Sequence, residues 1–123
     1  MFFLFVFGKI KLQKVFEDLF LDNKVDLVLA GHVHSYERLF PTAHNKPVQK
    51  HYHAPPVPTY VVVGNAGNIE GITEFQEDYA PWTAYRYSSY GYAHMQINRT
   101  AIEWRFHGSD DMDKILDQFT LTK

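Results

Sequence analysis

Cysteine is absent from all 123 residues, which removes disulfide cross-links and thiolate metal ligands. A basic excess is absent too: 12 Lys and Arg against 14 Asp and Glu give a formal charge of −2. The basic residues are scattered, so nothing argues for nucleic acid or an anionic membrane surface as a partner. No apolar run approaches the roughly 20 residues of a membrane-crossing helix. The apolar opening, residues 1–7, lacks a charged start and a small-residue cleavage site and makes a poor signal peptide. The Gly-rich stretch 64–68 lacks a Gly-Lys-Ser/Thr ending and a following helical pattern, which argues against a nucleotide loop. What is present is 46% hydrophobic and 16% aromatic, the composition of a folded chain with the length of one domain.

Leu12, Val15, Phe16, Leu19 and Phe20 recur at helical spacing. They predict an amphipathic helix ending near Asp22-Asn23, with Asn23 suited to a left-handed cap. Residues 25–30, Val-Asp-Leu-Val-Leu-Ala, read as a buried strand stopped by Gly31. Residues 39–58 hold Pro41, Pro47, Pro55 and Pro56 and read as a surface loop with solvated His44, His51 and His53. His51-Tyr52-His53 does repeat a ligand-like His-x-His spacing, but nothing nearby anchors a further ligand. Residues 59–63 form the next strand, followed by a turn in which Asn65 and Asn68 are expected to take left-handed conformations. Three alternating segments then predict an antiparallel meander. Ala93, Met95 and Ile97 oppose Tyr92, His94 and Gln96; Ile102, Trp104 and Phe106 oppose Glu103, Arg105 and His107; Phe119 and Leu121 oppose Thr120 and Thr122. Asp110-Asp111-Met112-Asp113 reads as a polar turn, since a calcium loop needs a glycine and a glutamate at offsets not found here.

Two histidines carry the candidate chemistry. His32 and His34 follow Gly31 at the end of the 25–30 strand, where open α/β sheets bind ligands. In extended backbone the two rings would point the same way, about 6.5 Å apart. Each could then serve one of two ions lying about 3.5–4 Å apart. Gly31 is expected to supply a sharp turn and close approach to the ligand. Arg38 could meet a phosphate bidentately. The reading we favour pairs it with Glu37 or another carboxylate, stiffening the loop that holds the histidines. Asn65 and Tyr36 are further candidates for substrate contact or for support of the ligands. Asn98-Arg99-Thr100 fits a glycosylation acceptor on an expected turn.

The whole octapeptide Gly31-His32-Val33-His34-Ser35-Tyr36-Glu37-Arg38 resembles the last metal-binding motif of the purple acid phosphatases, members of the calcineurin-like metallophosphoesterases. Residues 12–30 resemble the helix and strand leading into that motif, 58–68 the following strand and Gly-rich turn, and 84–105 the closing segment. The resemblance covers residues 11–122. It implies an α/β fold, the C-terminal part of a four-layer α/β/β/α sandwich ending in an antiparallel strand meander. Residues 1–123 would then be a single partial domain of an acid phosphatase acting on phosphate esters. The implied cofactors are a ferric ion and a divalent zinc, manganese or iron, bridged by an aspartate and held by seven protein ligands. By match to the motif, His32 corresponds to a ligand of the divalent ion and His34 to a ligand of the ferric ion. The resemblance also implies a secreted, lysosomal or vacuolar parent protein, strengthens Asn98 as a glycan acceptor, and admits a homodimer of the parent.

The family's other ligand motifs are not found in the thirty residues before Gly31. Its metal-binding tyrosine and substrate-holding histidines have no counterpart either, so no catalytic residue is assigned. Two neutral imidazoles neither bridge two cations nor neutralise five positive charges, which hard ions require of carboxylate oxygen. The expectation is weak or no metal binding and negligible phosphate-ester hydrolysis by these residues alone. Residues 1–7 read either as the remnant of a preceding histidine-bearing strand or as a misplaced start. The helix face and the edge of the 25–30 strand are expected to lie uncovered and to invite aggregation. Two non-catalytic readings compete: a truncated binding module, and a structural domain whose His-x-His merely caps a strand. In-frame sequence upstream of Met1 carrying the missing motifs separates the enzyme from the first, and a metal titration separates it from the second.

Overall fold

A computed structural model describes residues 9–75 and 78–123, with the backbone alone over 9–14. The opening heptapeptide, read above as a strand remnant, lies outside the described residues. In chain order the elements are α1 (Lys9–Asp22), β1 (Leu27–Ala30), β2 (Tyr36–Leu39), β3 (Thr42–Ala43), β4 (Lys46–Pro47), β5 (Thr59–Val63), β6 (Thr83–Tyr87), β7 (Gly91–Ile97), β8 (Ala101–Gly108) and β9 (Ile115–Thr122). The described residues are thus mostly sheet with one helix.

The helix ends where the sequence suggests, but Lys24 rather than Asn23 takes the left-handed conformation, at φ 50°. The Val25 N–H donates to the Phe20 carbonyl at 3.0 Å and the Lys24 N–H to the Leu21 carbonyl at 3.1 Å. Those two bonds close the last turn, and Val25 and Phe20 pack on the same cluster. Asn23 instead bonds back with its side-chain amide to the Leu19 carbonyl at 2.8 Å, so it has no need to leave the helical region. Val15, Phe16 and Leu19 are exposed.

Four strands form one sheet in the order β1-β5-β2-β6. β1 runs parallel to β5, which is antiparallel to β2, itself antiparallel to β6. The β-branched and aromatic run Thr-Tyr-Val-Val-Val suits β5 to this interior position. β7, β8 and β9 form a separate antiparallel meander, as the alternation predicts. A core lies between the two sheets: Tyr36 and Val61 meet Trp104, Phe106, Phe119 and Leu121. On the other face of the first sheet, Val28, Leu39 and Tyr60 pack with Phe20, Val25 and Trp82.

Three features depart from the sequence reading. The 39–58 segment is not a plain loop: β3 and β4 form a hairpin turning through His44 and Asn45, both left-handed at φ 49° and 62°. The His44 N–H donates to Glu17 on α1 at 2.7 Å, and His53 pairs with Thr122 and bonds its hydroxyl through Nδ1. His51 lies 3.2 Å from the Gln49 amide. β2 and β6 were not foreseen as strands, because Glu37, Arg38 and Arg86 interrupt the hydrophobic period of these short segments. No helix among the described residues is long and apolar enough to cross a membrane.

Candidate metal centre

The strand order explains the shape of the histidine loop. β1 and β2 flank β5 on opposite sides, so residues 31–35 must pass over the C-terminal end of β5 to connect them. That crossing spans two strand spacings, on the order of 9–10 Å, in five residues. Directly beneath it lies Gly64: a Cβ there would sit 2.0 Å from the Val33 carbonyl oxygen. Only a residue without a side chain lets the loop cross.

The crossing is bent, not extended as expected from sequence. The Val33 N–H donates to the Gly31 carbonyl at 2.9 Å and the Ser35 N–H to the Val33 carbonyl at 2.8 Å. These i to i+2 bonds make two successive three-residue turns centred on His32 and His34. His32 takes the left-handed conformation itself, at φ 71°. Gly31, assigned the sharp turn above, has open space around it and no left-handed backbone. A non-glycine residue held there stores roughly 1–3 kcal/mol of strain, a cost met most often at ligand sites. His32 is exposed and His34 partly buried.

Residues 64–73 wrap the loop from β5. The Gly64 N–H donates to the Ser35 carbonyl at 3.2 Å and the Thr73 N–H to the His34 carbonyl at 3.0 Å. His34 Nδ1 lies 3.0 Å from the Gly71 carbonyl, and its Nε2 lies 3.7 Å from the carboxylate of the exposed Glu70. The left-handed residues of this wrap are Gly67 and Gly71, at φ 111° and 86°, not Asn65 and Asn68. Asn65 is fully buried and ties two turns together, its side-chain amide donating to the Ser89 carbonyl and its backbone carbonyl accepting the Gly91 N–H at 3.0 Å.

Tyr36 and Arg38 belong to a different environment. In β2 successive side chains leave opposite faces, so both point toward the meander while Glu37 points away. Arg38 binds Asp117 of β9 in bidentate fashion, Nε to Oδ2 and Nη2 to Oδ1, each at 2.7 Å. The Tyr36 hydroxyl donates to Asp117 Oδ2 at 2.7 Å and accepts from Trp104 Nε1 at 3.0 Å. The Tyr36 ring stacks on Phe106 at 3.9 Å. Arg38 also donates to the Tyr52 hydroxyl, which itself donates to the Leu39 carbonyl at 3.0 Å. Burial, reinforced by the Asp117 charge, pushes the Tyr36 phenol far above its ordinary pKa. Burial works against the Arg38 charge, but the Asp117 hydrogen bonds and neighbouring groups outweigh it and hold the guanidinium charged. On the opposite face Glu37 pairs with Arg86 at 3.0 Å and accepts from Thr83 at 2.7 Å.

The structure therefore divides the sequence candidates. His32 and His34 share the crossing loop; Tyr36 and Arg38 share a buried cluster; Asn65 joins two turns. Asn98 lies at the opposite end of the first sheet, on the exposed β7–β8 turn, beside a cavity of about 100 Å³ that Asp26 also lines. Its Oδ1 accepts from the Thr100 N–H at 2.9 Å, the Thr100 hydroxyl at 3.1 Å and the Ala101 N–H at 2.9 Å. Gly64, Gly71 and Asp117 were missed. Asp117 left a signal, since it falls in phase with the inward-facing Phe119 and Leu121, where an unpaired carboxylate is costly. Among the described residues no group of three or more His, Cys, Asp or Glu could hold a metal ion.

The family profile described as iron/zinc purple acid phosphatase-like protein C matches residues 57–118. Phosphoenolpyruvate phosphatase from Allium cepa is 38% identical over 107 residues, covering 81% of this chain and 22% of its own length. Acid phosphatase type 7 from Homo sapiens is 39% identical over 106 residues, covering 82% of this chain and 24% of its own. A purple acid phosphatase from yellow lupin (Lupinus luteus) seeds superposes with a TM-score of 0.78 at 27% identity, over 87% of this chain and 19% of that one. The chain thus spans about a quarter of the length of the relatives it matches, or less.

Proposed function

Because the chain belongs to the purple acid phosphatase family, we propose that it is the C-terminal, metal-ligating part of an acid phosphatase that hydrolyses phosphate monoesters. The full architecture in this reading is a four-layer α/β/β/α sandwich. The observation that carries the reading is the strained histidine crossing at the C-terminal ends of two parallel strands, where open α/β sheets bind ligands. Its donors fit the implied metals, because imidazole suits zinc and iron. His32 would hold the divalent ion, namely zinc, manganese or iron, and His34 the ferric ion. When bound, such a pair activates water near neutral pH and stabilises charge on the phosphoryl oxygens.

The residues of this chain supply placement. The Gly64 seat and the 64–73 wrap fix the crossing loop, and the Arg38–Asp117 pair anchors the strand that follows it. We assign Tyr36, Arg38 and Asn65 to this supporting role, on the strength of their burial and partners. Two imidazoles without a bridging carboxylate leave the chain by itself a weak metal binder with negligible turnover. The parent protein is placed in a secretory, lysosomal or vacuolar setting with a glycan on Asn98. There the Oδ1 is engaged by three donors, on an exposed turn.

The test compares the purified, metal-loaded chain with a His32→Ala/His34→Ala variant. Zinc titration should show weak binding lost in the variant, and both proteins should turn over an aryl phosphate at background rate. Zinc binding equal in the two proteins would remove the ligand assignment. Turnover well above the variant would overturn the claim that this chain is inactive alone.

A further inference from the structure

The 64–73 segment touches His34 at both its backbone and its ring. The Thr73 N–H holds the His34 carbonyl at 3.0 Å, and the Gly71 carbonyl lies 3.0 Å from Nδ1. A carbonyl oxygen only accepts, so this bond requires the proton on Nδ1. In a neutral imidazole that leaves the lone pair on Nε2. A free histidine side chain prefers the opposite form, with its proton on Nε2, so the contact works against the intrinsic preference of the ring.

Glu70 does not account for the arrangement. Its carboxylate is exposed and 3.7 Å from Nε2, beyond hydrogen-bond reach, and a carboxylate there would favour a proton on Nε2 instead. Gly71 is suited to its task by its backbone: φ is 86°, a conformation that aims its carbonyl at the ring and that residues with side chains resist. Thr73, two residues on, pins the strap to the same histidine.

We propose that Gly71, through its backbone carbonyl, is the positioning residue that fixes His34 in the Nδ1–H form and presents Nε2 as the cation-binding nitrogen. The proposal rests on the reading of His34 as a ligand. Metal-binding histidines are commonly oriented through their second nitrogen, and losing such a partner costs about 10–100-fold in metal affinity. Glu70 is then an exposed carboxylate near the nitrogen in use and does not set the ring's orientation.

The deciding experiment is nitrogen NMR of the imidazole rings in the isotope-labelled full chain, at a pH above the ordinary imidazole range. His34 should show its proton on Nδ1, and Glu70→Gln should leave that state unchanged. Added zinc should shift His34 Nε2 selectively. Gly71→Ala should raise the Nε2–H population and weaken zinc binding by about 10–100-fold. A native ring protonated mainly on Nε2 overturns the proposal without recourse to any variant that must fold. So does a Glu70→Gln ring that switches form, because the carboxylate would then set the tautomer. If the native ring is Nδ1–H but zinc leaves its Nε2 unmoved, the ligand reading has failed while the Gly71 contact itself has been seen. The two failures are therefore separable.

Discussion

The two halves of one octapeptide live under opposite physical regimes. Residues 31–34 form a bent, partly solvated crossing with a left-handed histidine, held by hydrogen bonds from a neighbouring segment. Residues 35–38 are buried, from Tyr36 onward in β2, where Tyr36 and Arg38 share the two oxygens of Asp117. The first half stays partly exposed and tolerates strain; the second gives up exposure for fixed position. Side chains that must meet a ligand cannot satisfy one another, so their geometry has to be imposed from outside, by the rigid half and by the 64–73 wrap.

The largest expected effect breaks the rigid half. Asp117→Ala strands a buried guanidinium and the Tyr36 hydroxyl, and should cost about 3–5 kcal/mol in denaturant unfolding. A cost below about 1 kcal/mol would mean that the cluster is not what anchors β2. Next comes the seat beneath the crossing. Gly64→Ala drives a methyl into the Val33 carbonyl and should cost about 2–3 kcal/mol, as overpacking does. Its distinguishing sign is displaced His32 and His34 resonances with the Tyr36 and Arg38 signals little changed.

Alkaline pH probes the packed regions and spares the loop. Burial, with the Glu17 charge second, pushes the Tyr60 phenol up to about 12 from 10.0. Between those values the unfolded chain has released this proton while the folded chain retains it. Stability is therefore whole below pH 10 and falls as pH rises through that window. The Tyr60 contribution is about 3 kcal/mol. Tyr36, Tyr52 and Tyr85, all raised chiefly by burial, move in the same direction. Denaturant titrations across this range should show the decline, and Tyr60→Phe should lessen it. The smallest effect sharpens the strained half. His32→Gly relieves the left-handed backbone and should raise stability by a few tenths to about 1 kcal/mol, offset partly by the freer unfolded chain. Destabilisation instead would show that His32 contributes packing that outweighs its strain.

Where hydrophobic period and burial coincide, the sequence was readable. The meander alternates cleanly and β5 is β-branched; α1 was legible from its period alone, since Val15, Phe16 and Leu19 of its apolar stripe are exposed. β2 and β6 escaped because charged residues interrupt their apolar pattern on both faces, Arg38 paired with Asp117 on one and Arg86 with Glu37 on the other, whose partners lie 79 and 49 residues away. Candidate residues were legible as residue types, but their conformations were not. Asn65 and Asn68 tolerate left-handed backbone, yet the crossing forced by β1-β5-β2 places that conformation on His32, and the wrap places it on Gly67 and Gly71. Strand order is a non-local fact, and no window of neighbouring residues contains it.

The span of the Asp117 contacts has a consequence for synthesis. Translation at about 5–20 residues per second leaves roughly 4–16 seconds between the appearance of Arg38 and that of the carboxylate it binds. Throughout that interval water holds the guanidinium and the phenol, and β2 cannot be buried between the sheets, because the carboxylate that would replace that water has not yet been made.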